Sequence, residues 1–264
     1  MLKLYDNIAS VAAQKVRMTL HEKGQAWETA SVDLRNGDVM NAEYLKLNPG
    51  GVVPTLMHDG QVLIESTAII EYLDEVFPNP PLKPATPAAR HRMRLWTKRI
   101  DEEVHRATGP LSQAVYIRYA HLEKTPEQRE AYFARMPDKD RAARQQSAIR
   151  LGLDAPEIAP ALRCYSRLID DIDAQAVGAP WLAGDTFSLA DIAVAPYLTR
   201  MEMLAMDALW TNGRRPNAAR WWAAMKARPC FCAQVQDKFP VAMRTAMLER
   251  GKAAWPKVKE MLGV

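Results

Sequence analysis

Asn48-Pro49-Gly50-Gly51-Val52-Val53-Pro54-Thr55-Leu56, followed shortly by Glu65-Ser66-Thr67, is the stretch whose reading decides the fold. A β-strand entered through Val-Pro is unusual, because proline lacks the ladder donor and belongs at a strand's first residue or edge. Val53-Pro54 is therefore a candidate cis peptide, since cis bonds are almost confined to X-Pro. A cis bond there turns the Val53 N–H and C=O out of the sheet, where an extended peptide can pair with them as an added strand. Glu65-Ser66 falls where a strand hands over to a helix. A hydroxyl, backbone N–H groups and the helix dipole can hold a carboxylate at such a place. Together the two features describe a pocket for a short peptide with a free amino acid end.

Short elements surround this stretch. Leu2–Asp6 alternates apolar and polar residues as a strand does, and residues 11–23 carry Val16 and Leu20 at helical spacing before Gly24. Trp27–Asp33 alternates again, and Asn41–Leu47 reads as a short helix stopped by Asn48-Pro49-Gly50. Thr55–Met57 and Val62–Ile64 flank His58-Asp59-Gly60-Gln61, whose Asp-Gly is a hairpin signal. Ser66–Phe77 puts Ile69, Ile70, Leu73 and Phe77 on one face, with Ser66 as the expected N-cap. The order β-α-β-α-β-β-α predicts parallel strands joined by a crossover helix and closed by a hairpin.

Pro78, Pro80, Pro81, Pro84 and Pro87 then crowd ten residues and mark a boundary. The expected division is a first domain over 1–80, a Pro-rich linker over 81–87, and a helical domain over 88–264. Helical patterns fall at 88–119, 126–135, 157–175, 189–207, 217–227 and 240–261, whereas the polar stretch 136–156 reads as a loop or irregular helix. Ser188-Leu189-Ala190-Asp191 has the form of a capping box, a folding device.

Composition excludes several function classes. The 264 residues are 48% hydrophobic and 25% charged, which is ordinary globular usage for one or two domains. Apolar runs are too short for a membrane-spanning helix, and Met1–Asp6 reads as a strand and not as a signal peptide. A net charge of +4 is small; its densest stretch, Arg90, Arg92, Arg94, Lys98, Arg99 and Arg106, reads as a solvated helix face, with no call for nucleic acid. Cys164, Cys230 and Cys232 are too few for a disulfide framework and point to a reducing, cytoplasmic setting. Cys230-Phe231-Cys232 is not CxxC, and the five histidines show no metal-ligand spacing, so no metal is expected. No P-loop or GxGxxG occurs.

Val53-Pro54, the Glu65-Ser66 pair and the Ser188–Asp191 box, in this order and spacing, resemble the cytosolic glutathione transferases over essentially the whole chain. The resemblance implies a thioredoxin-like α/β domain followed by an all-α domain, with glutathione as co-substrate, a homodimer and a detoxifying role. Within that family, Asn48–Pro54, His58-Asp59-Gly60, Glu65-Ser66-Thr67, Met93–Lys98 and a long insert over Met136–Pro160 look closest to bacterial enzymes that cleave β-aryl ethers.

The chemistry sets what a glutathione site must do. A free thiol has a pKa of about 8.5, and its thiolate is the nucleophile. A hydrogen bond donated to sulfur at a helix N-terminus favours the charged form. Ser10, just ahead of the first helix, stands where serine-type members carry the activating residue, so the resemblance makes it the catalytic candidate; a plain N-cap is the competing reading. Ala13 replaces a second serine of the ether-cleaving relatives, and Val52 stands where many relatives have a polar residue. By the same resemblance, Glu65 takes the γ-glutamyl ammonium, Ser66 its carboxylate, and Val53 beside Pro54 the cysteinyl backbone. Lys46 is a candidate for the glycyl carboxylate or else a solvated lysine. Trp96, Tyr116 and Tyr119 are candidates for a hydrophobic electrophile pocket between the domains, or for the core. The expected reaction is thiolate attack on an electrophilic carbon. A glutathione-dependent lyase, β-etherase or isomerase, and a non-catalytic ligand carrier, are the alternatives.

Overall fold

A computed structural model describes residues 1–263; Val264, the end of the expected helical domain, lies outside the described residues. The first part runs β1 (Leu2–Asp6), α1 (Val11–Glu22), β2 (Glu28–Ser31), α2 (Ala42–Leu47), β3 (Thr55–His58), β4 (Gln61–Leu63) and α3 (Ser66–Val76), the βαβαββα order of a thioredoxin-like domain. The sheet order is β2-β1-β3-β4. β1 pairs parallel with β2 across the α1 crossover, and antiparallel with β3, which forms the hairpin with β4. The alternating burial of Leu2, Leu4 and Asp6 turns one face of β1 inward. Val16, Leu20, Ile69, Ile70 and Leu73, all essentially inaccessible to solvent, cover that face from α1 and α3.

The rest is helical: α4 (Pro87–Arg99), α5 (His105–Ser112), α6 (Arg118–Leu122), α7 (Pro126–Ala134), α8 (Lys139–Leu151), α9 (Ile158–Gln175), α10 (Leu189–Met203), α11 (Ala208–Thr211), α12 (Pro216–Lys226), α13 (Pro229–Phe231) and α14 (Val241–Leu262). α4 through α6 form one continuous rod interrupted by two wider turns, Ile100–Val104 and Gln113–Ile117. In the first, the His105 N–H reaches back five residues to the Ile100 carbonyl, the mark of a π-turn. Such turns re-aim side chains along a helix.

The sequence expectation of a loop or irregular helix over 136–156 is corrected. Asp138 accepts from the Arg141 N–H at 2.8 Å and caps a 13-residue helix, α8. Its apolar residues are few because the helix buries one narrow stripe, Ala142, Ala148 and Ile149, and leaves the rest wet. The expected capping box is present: Ser188 opens α10, whose residues from Leu189 to Met201 are all buried. Asp191 accepts from the Ser188 N–H at 3.0 Å, the Leu182 N–H at 3.0 Å and the Trp221 indole N–H at 2.8 Å. All three cysteines are free thiols.

Candidate functional site

The sheet register brings three chain segments to one end of the sheet. Tyr5 pairs with Thr55, and Leu56 with Leu63. Residues 7–10 leave β1 there, residues 50–54 enter β3 there, and residues 64–66 leave β4 there. Ser10, Val53 and the Glu65-Ser66 pair therefore share one rim.

The Val53–Pro54 peptide bond is cis, as is Asn79–Pro80, which the sequence did not signal. The loop before it is tightly tied. The Val52 carbonyl accepts from the Tyr44 hydroxyl at 2.7 Å and from Asn48 Nδ2 at 3.0 Å, and the Gly51 N–H donates to the Asn48 carbonyl at 3.0 Å. Among the described residues, the N–H and C=O of Val53 itself enter no hydrogen bond. Backbone groups without partners are uncommon, and this pair lies at the entry of β3, beyond the last ladder bond to β1.

Ser10 caps α1, with extended backbone angles, and its Oγ accepts from the Ala13 N–H at 3.2 Å. Accepting uses a lone pair and leaves the hydroxyl hydrogen free to donate. Capping and sulfur activation are therefore compatible roles. The loop that aims Ser10 is over-determined. The Ser10 N–H donates to the Asn7 carbonyl at 2.9 Å, and Asn7 Nδ2 donates to the Val32 carbonyl at 2.9 Å. Arg17, buried, donates from Nη1 to both carboxylate oxygens of Asp6, at 2.6 and 2.7 Å, and from Nη2 to the Ile8 carbonyl at 3.3 Å. Arg200 of α10, also buried, bonds the Ala9 carbonyl and the Ser112 hydroxyl, pinning the loop to the helical domain. Burial lowers its guanidinium pKa, partly offset by Tyr165 and Tyr116. Sequence patterns missed Arg17 and Arg200 because each lies within an ordinary helical segment.

Glu65 has φ of +66°, a strained angle for a non-glycine residue. The expectation that Ser66 caps α3 is corrected: Glu65 occupies the cap position without a side-chain cap bond, and Ser66 is the first helical residue. The first-turn amides of α3 receive no side-chain cap bond. Lys15 of α1, fully buried, donates to Thr67 Oγ1 at 2.8 Å, with Asp101 at 3.5 Å beyond. Burial lowers its pKa, while Asp101 and Glu65 pull it back up. A buried cation thus stands behind Thr67, next to Ser66. The hollow beside it, of about 530 Å³, is lined by Glu65, Thr67, Ala68, Glu71, Tyr72, Glu75 and Asp101, with Lys83 paired to Glu75 at 2.6 Å and to Glu71 at 3.8 Å.

The other sequence candidates separate. Tyr116 is half-buried in the second π-turn, and its hydroxyl lies 3.4 Å from Arg35 of the sheet domain, so it sits where the sheet part and the helical part meet. Tyr119 is instead covered by the Arg250 guanidinium of α14, 3.8 Å from its ring centre. Trp96 is a core residue whose indole N–H donates to the Leu182 carbonyl at 3.0 Å; its exposed edge lines a hollow between α4 and α9. Lys46 is exposed and paired with Glu43 at 2.7 Å, as its place three residues on along α2 favours. Among the described residues, no group of His, Cys, Asp and Glu side chains could hold a metal ion, and no helix is long and apolar enough to cross a membrane.

Comparison with known proteins bears on the family and the fold. The glutathione S-transferase N-terminal domain matches residues 4–81, and the glutathione S-transferase C-terminal domain matches residues 121–229. The chain belongs to the glutathione S-transferase family. It is 29% identical over 255 residues to the protein LigF of Sphingobium sp. strain SYK-6, covering 94% of this chain and 97% of LigF. The crystal structure of that beta-etherase superposes with a TM-score of 0.81 at 27% identity, over 90% of this chain and 99% of the other. Glutathione S-transferase TCHQD of Arabidopsis thaliana is 24% identical over 87% of this chain and 88% of its own length. Glutathione transferase F7 of Populus trichocarpa shares the fold, with a TM-score of 0.70 at 24% identity over 91% of this chain and 100% of the other.

Proposed function

We propose that this glutathione transferase docks reduced glutathione along the free Val53 edge and uses Ser10 to keep its sulfur anionic. The observation that carries the reading is the unpaired N–H and C=O of Val53 beside cis Pro54, on the same rim as the α1 N-terminus. The cysteinyl N–H donates to the Val53 carbonyl, and the Val53 N–H donates to the cysteinyl carbonyl. The γ-glutamyl carboxylate takes the Ser66 hydroxyl and the open α3 amides, favoured by the Lys15 charge behind Thr67. Glu65 and the acidic hollow take the ammonium.

Ser10 donates its free hydrogen to the glutathione sulfur. The thiol proton leaves to solvent, the thiolate attacks an electrophilic carbon, a C–S bond forms, and the leaving group departs with its electron pair. Placing both reactants and favouring the thiolate supply the rate. Tyr116 lines the electrophile side of the cleft. Following the family, we place the domain divide in the linker over 81–87, and expect a cytoplasmic homodimer with a detoxifying role.

One specific observation favours a second reading, β-ether cleavage by the same thiolate: LigF, a beta-etherase, matches nearly the full chain. Against it, Ala13 offers only a methyl group beside Ser10. Turnover of a chlorinated nitroaromatic against aryl-ether dimers, in wild type and Ser10→Ala, tests both. Conjugation that falls with Ser10→Ala supports the first reading. Ether cleavage alone supports the second. Turnover indifferent to Ser10 removes the role given to it.

A further inference from the structure

Lys46 is exposed and its pairing with Glu43 is a surface contact, which leaves room for a second cation at the far end of the bound peptide. The segment entering α8 supplies one. Pro137 lies against Gly51: a β-carbon there would sit 3.1 and 3.2 Å from its ring and 3.3 Å from the Val39 carbonyl. Phe133, Met136, Ala142 and Ile149 share a buried apolar cluster with Val39, Met40, Tyr44 and Val53 itself. The helical domain is thus packed onto the peptide-binding loop. On this seam Arg141 is half-buried, with Nη2 at 3.5 Å from both the Gly50 and Gly51 carbonyls, the outer limit of a hydrogen bond. Its Nε is buried without a partner, and among the described residues no carboxylate lies within 4 Å of it. Nearby groups do not replace it. Val39 and Met40 are apolar, and the Arg135 head is taken by the Gly37 carbonyl at 3.2 Å and Asn41 Oδ1 at 3.0 Å.

Resting on the docking mode above, we infer that Arg141 binds the glycyl carboxylate of glutathione, so that the helical domain recognises the tripeptide's C-terminus. A peptide antiparallel to residues 52–54, with its glutamyl end at α3, must run its C-terminus back towards Gly51 and Gly50. One extended residue spans about 3.3–3.6 Å, so the glycyl carboxylate falls beside the loop that Arg141 touches. A half-buried guanidinium with no carboxylate within 4 Å among the described residues, Asp138 acting on it only from farther off, has terminal N–H groups to offer a carboxylate. The arginine lies outside the thioredoxin-like domain, in the stretch whose composition reads as loop.

The experiment measures Kd by calorimetry for glutathione and for its glycyl monoethyl ester, on the full-length wild type, Arg141→Gln and Arg141→Lys, without electrophile. Wild type is expected to prefer glutathione to the ester by about tenfold or more, as a charge-assisted pair provides. Arg141→Gln is expected to remove that preference by weakening glutathione alone. Arg141→Lys is expected to keep part of it, since lysine offers charge without the fork. The unchanged ester affinity serves as the control for folding. Equal affinities in wild type overturn the inference, as does equal weakening of both ligands by Arg141→Gln. It also falls if Arg141→Gln leaves the affinity for glutathione unchanged. Wild type binding neither ligand overturns the docking mode itself and is distinguishable from all of these.

Discussion

Asp191→Asn should be severe although it changes one atom. The carboxylate is fully buried and takes four donors: on Oδ1 the Leu182 N–H at 3.0 Å and the Trp221 Nε1–H at 2.8 Å, and on Oδ2 the Ser188 N–H at 3.0 Å and hydroxyl at 3.1 Å. An asparagine can keep its oxygen on Leu182 and Trp221. Its amide nitrogen then faces the Ser188 N–H, donor against donor, and a buried group loses its partner. The remaining bonds lose their charge assistance. Breaking such a buried charged network costs about 3–5 kcal/mol. At about 2–4 °C per kcal/mol for a chain of this size, the melting temperature should fall by roughly 6–20 °C. Thermal unfolding followed by circular dichroism and calorimetry reads this directly. Asp191→Ala, which orphans all four donors, should unfold lower still. An Asp191→Asn melting temperature within about 2 °C of wild type would refute the claim that this network anchors α10.

Ser10→Ala should lower kcat/KM by about 10²–10³-fold, the usual cost of one donor to a developing or held anion, and lower the melting temperature by roughly 1–8 °C through the lost α1 cap of about 0.5–2 kcal/mol. Steady-state kinetics and a thermal shift check the pair of outcomes. Gly51→Ala forces a side chain into φ of +57° and against Pro137, so a loss of about 1–3 kcal/mol in urea unfolding and a weaker glutathione Kd are expected together. Acidification should weaken the fold through one buried histidine. His121 is pushed down to about 4 by burial, Lys124 and Arg129, and is neutral in the fold. The unfolded chain binds its proton from pH about 6.5 downward, so this contribution to stability is lost between about 6.5 and 4. Asp191, pushed up to about 6 by burial, acts oppositely between about 6 and 4, because the fold then holds its proton more tightly. The histidine contribution is therefore read by difference in urea midpoints. His121→Phe, which removes a buried Nδ1 without a partner and keeps the stack on Phe133, should lose less stability than wild type between about pH 6.5 and 4; an equal or larger loss in the variant contradicts the sign.

The local signals in the sequence were those whose meaning does not depend on tertiary packing. Val-Pro at a strand entry, Asp-Gly in a hairpin and Ser-x-x-Asp before an apolar run each specify backbone chemistry within a few residues, and each appears in the structure where expected. Ser10 was legible for the same reason, as a cap ahead of a helical period. The groups around it were not. Arg17, Lys15, Arg200 and Arg141 are cations in helices whose burial is set by distant elements: Gln234 and Asp6, Thr67 and Asp101, Ala9 and Ser112, Gly50 and Gly51. Periodicity counts such residues as solvent-facing. α8 was missed because a helix that buries only three small or medium side chains, against its neighbouring helices and the loop of residues 39–53, carries almost no apolar pattern. Trp96 and Tyr119 have the aromatic character a cleft would use, but which face of the α4–α6 rod looks inward is fixed by the two π-turns.

The most direct test is the ionisation of the bound thiol, read as the ultraviolet absorbance of the thiolate while the pH is varied, with saturating glutathione on wild type and on Ser10→Ala. Wild type should show a thiol pKa at least about one to two units below that of the free tripeptide, and Ser10→Ala should return it most of the way towards about 8.5. A bound thiol that titrates as the free tripeptide does, or one whose pKa is the same in both proteins, would contradict the account.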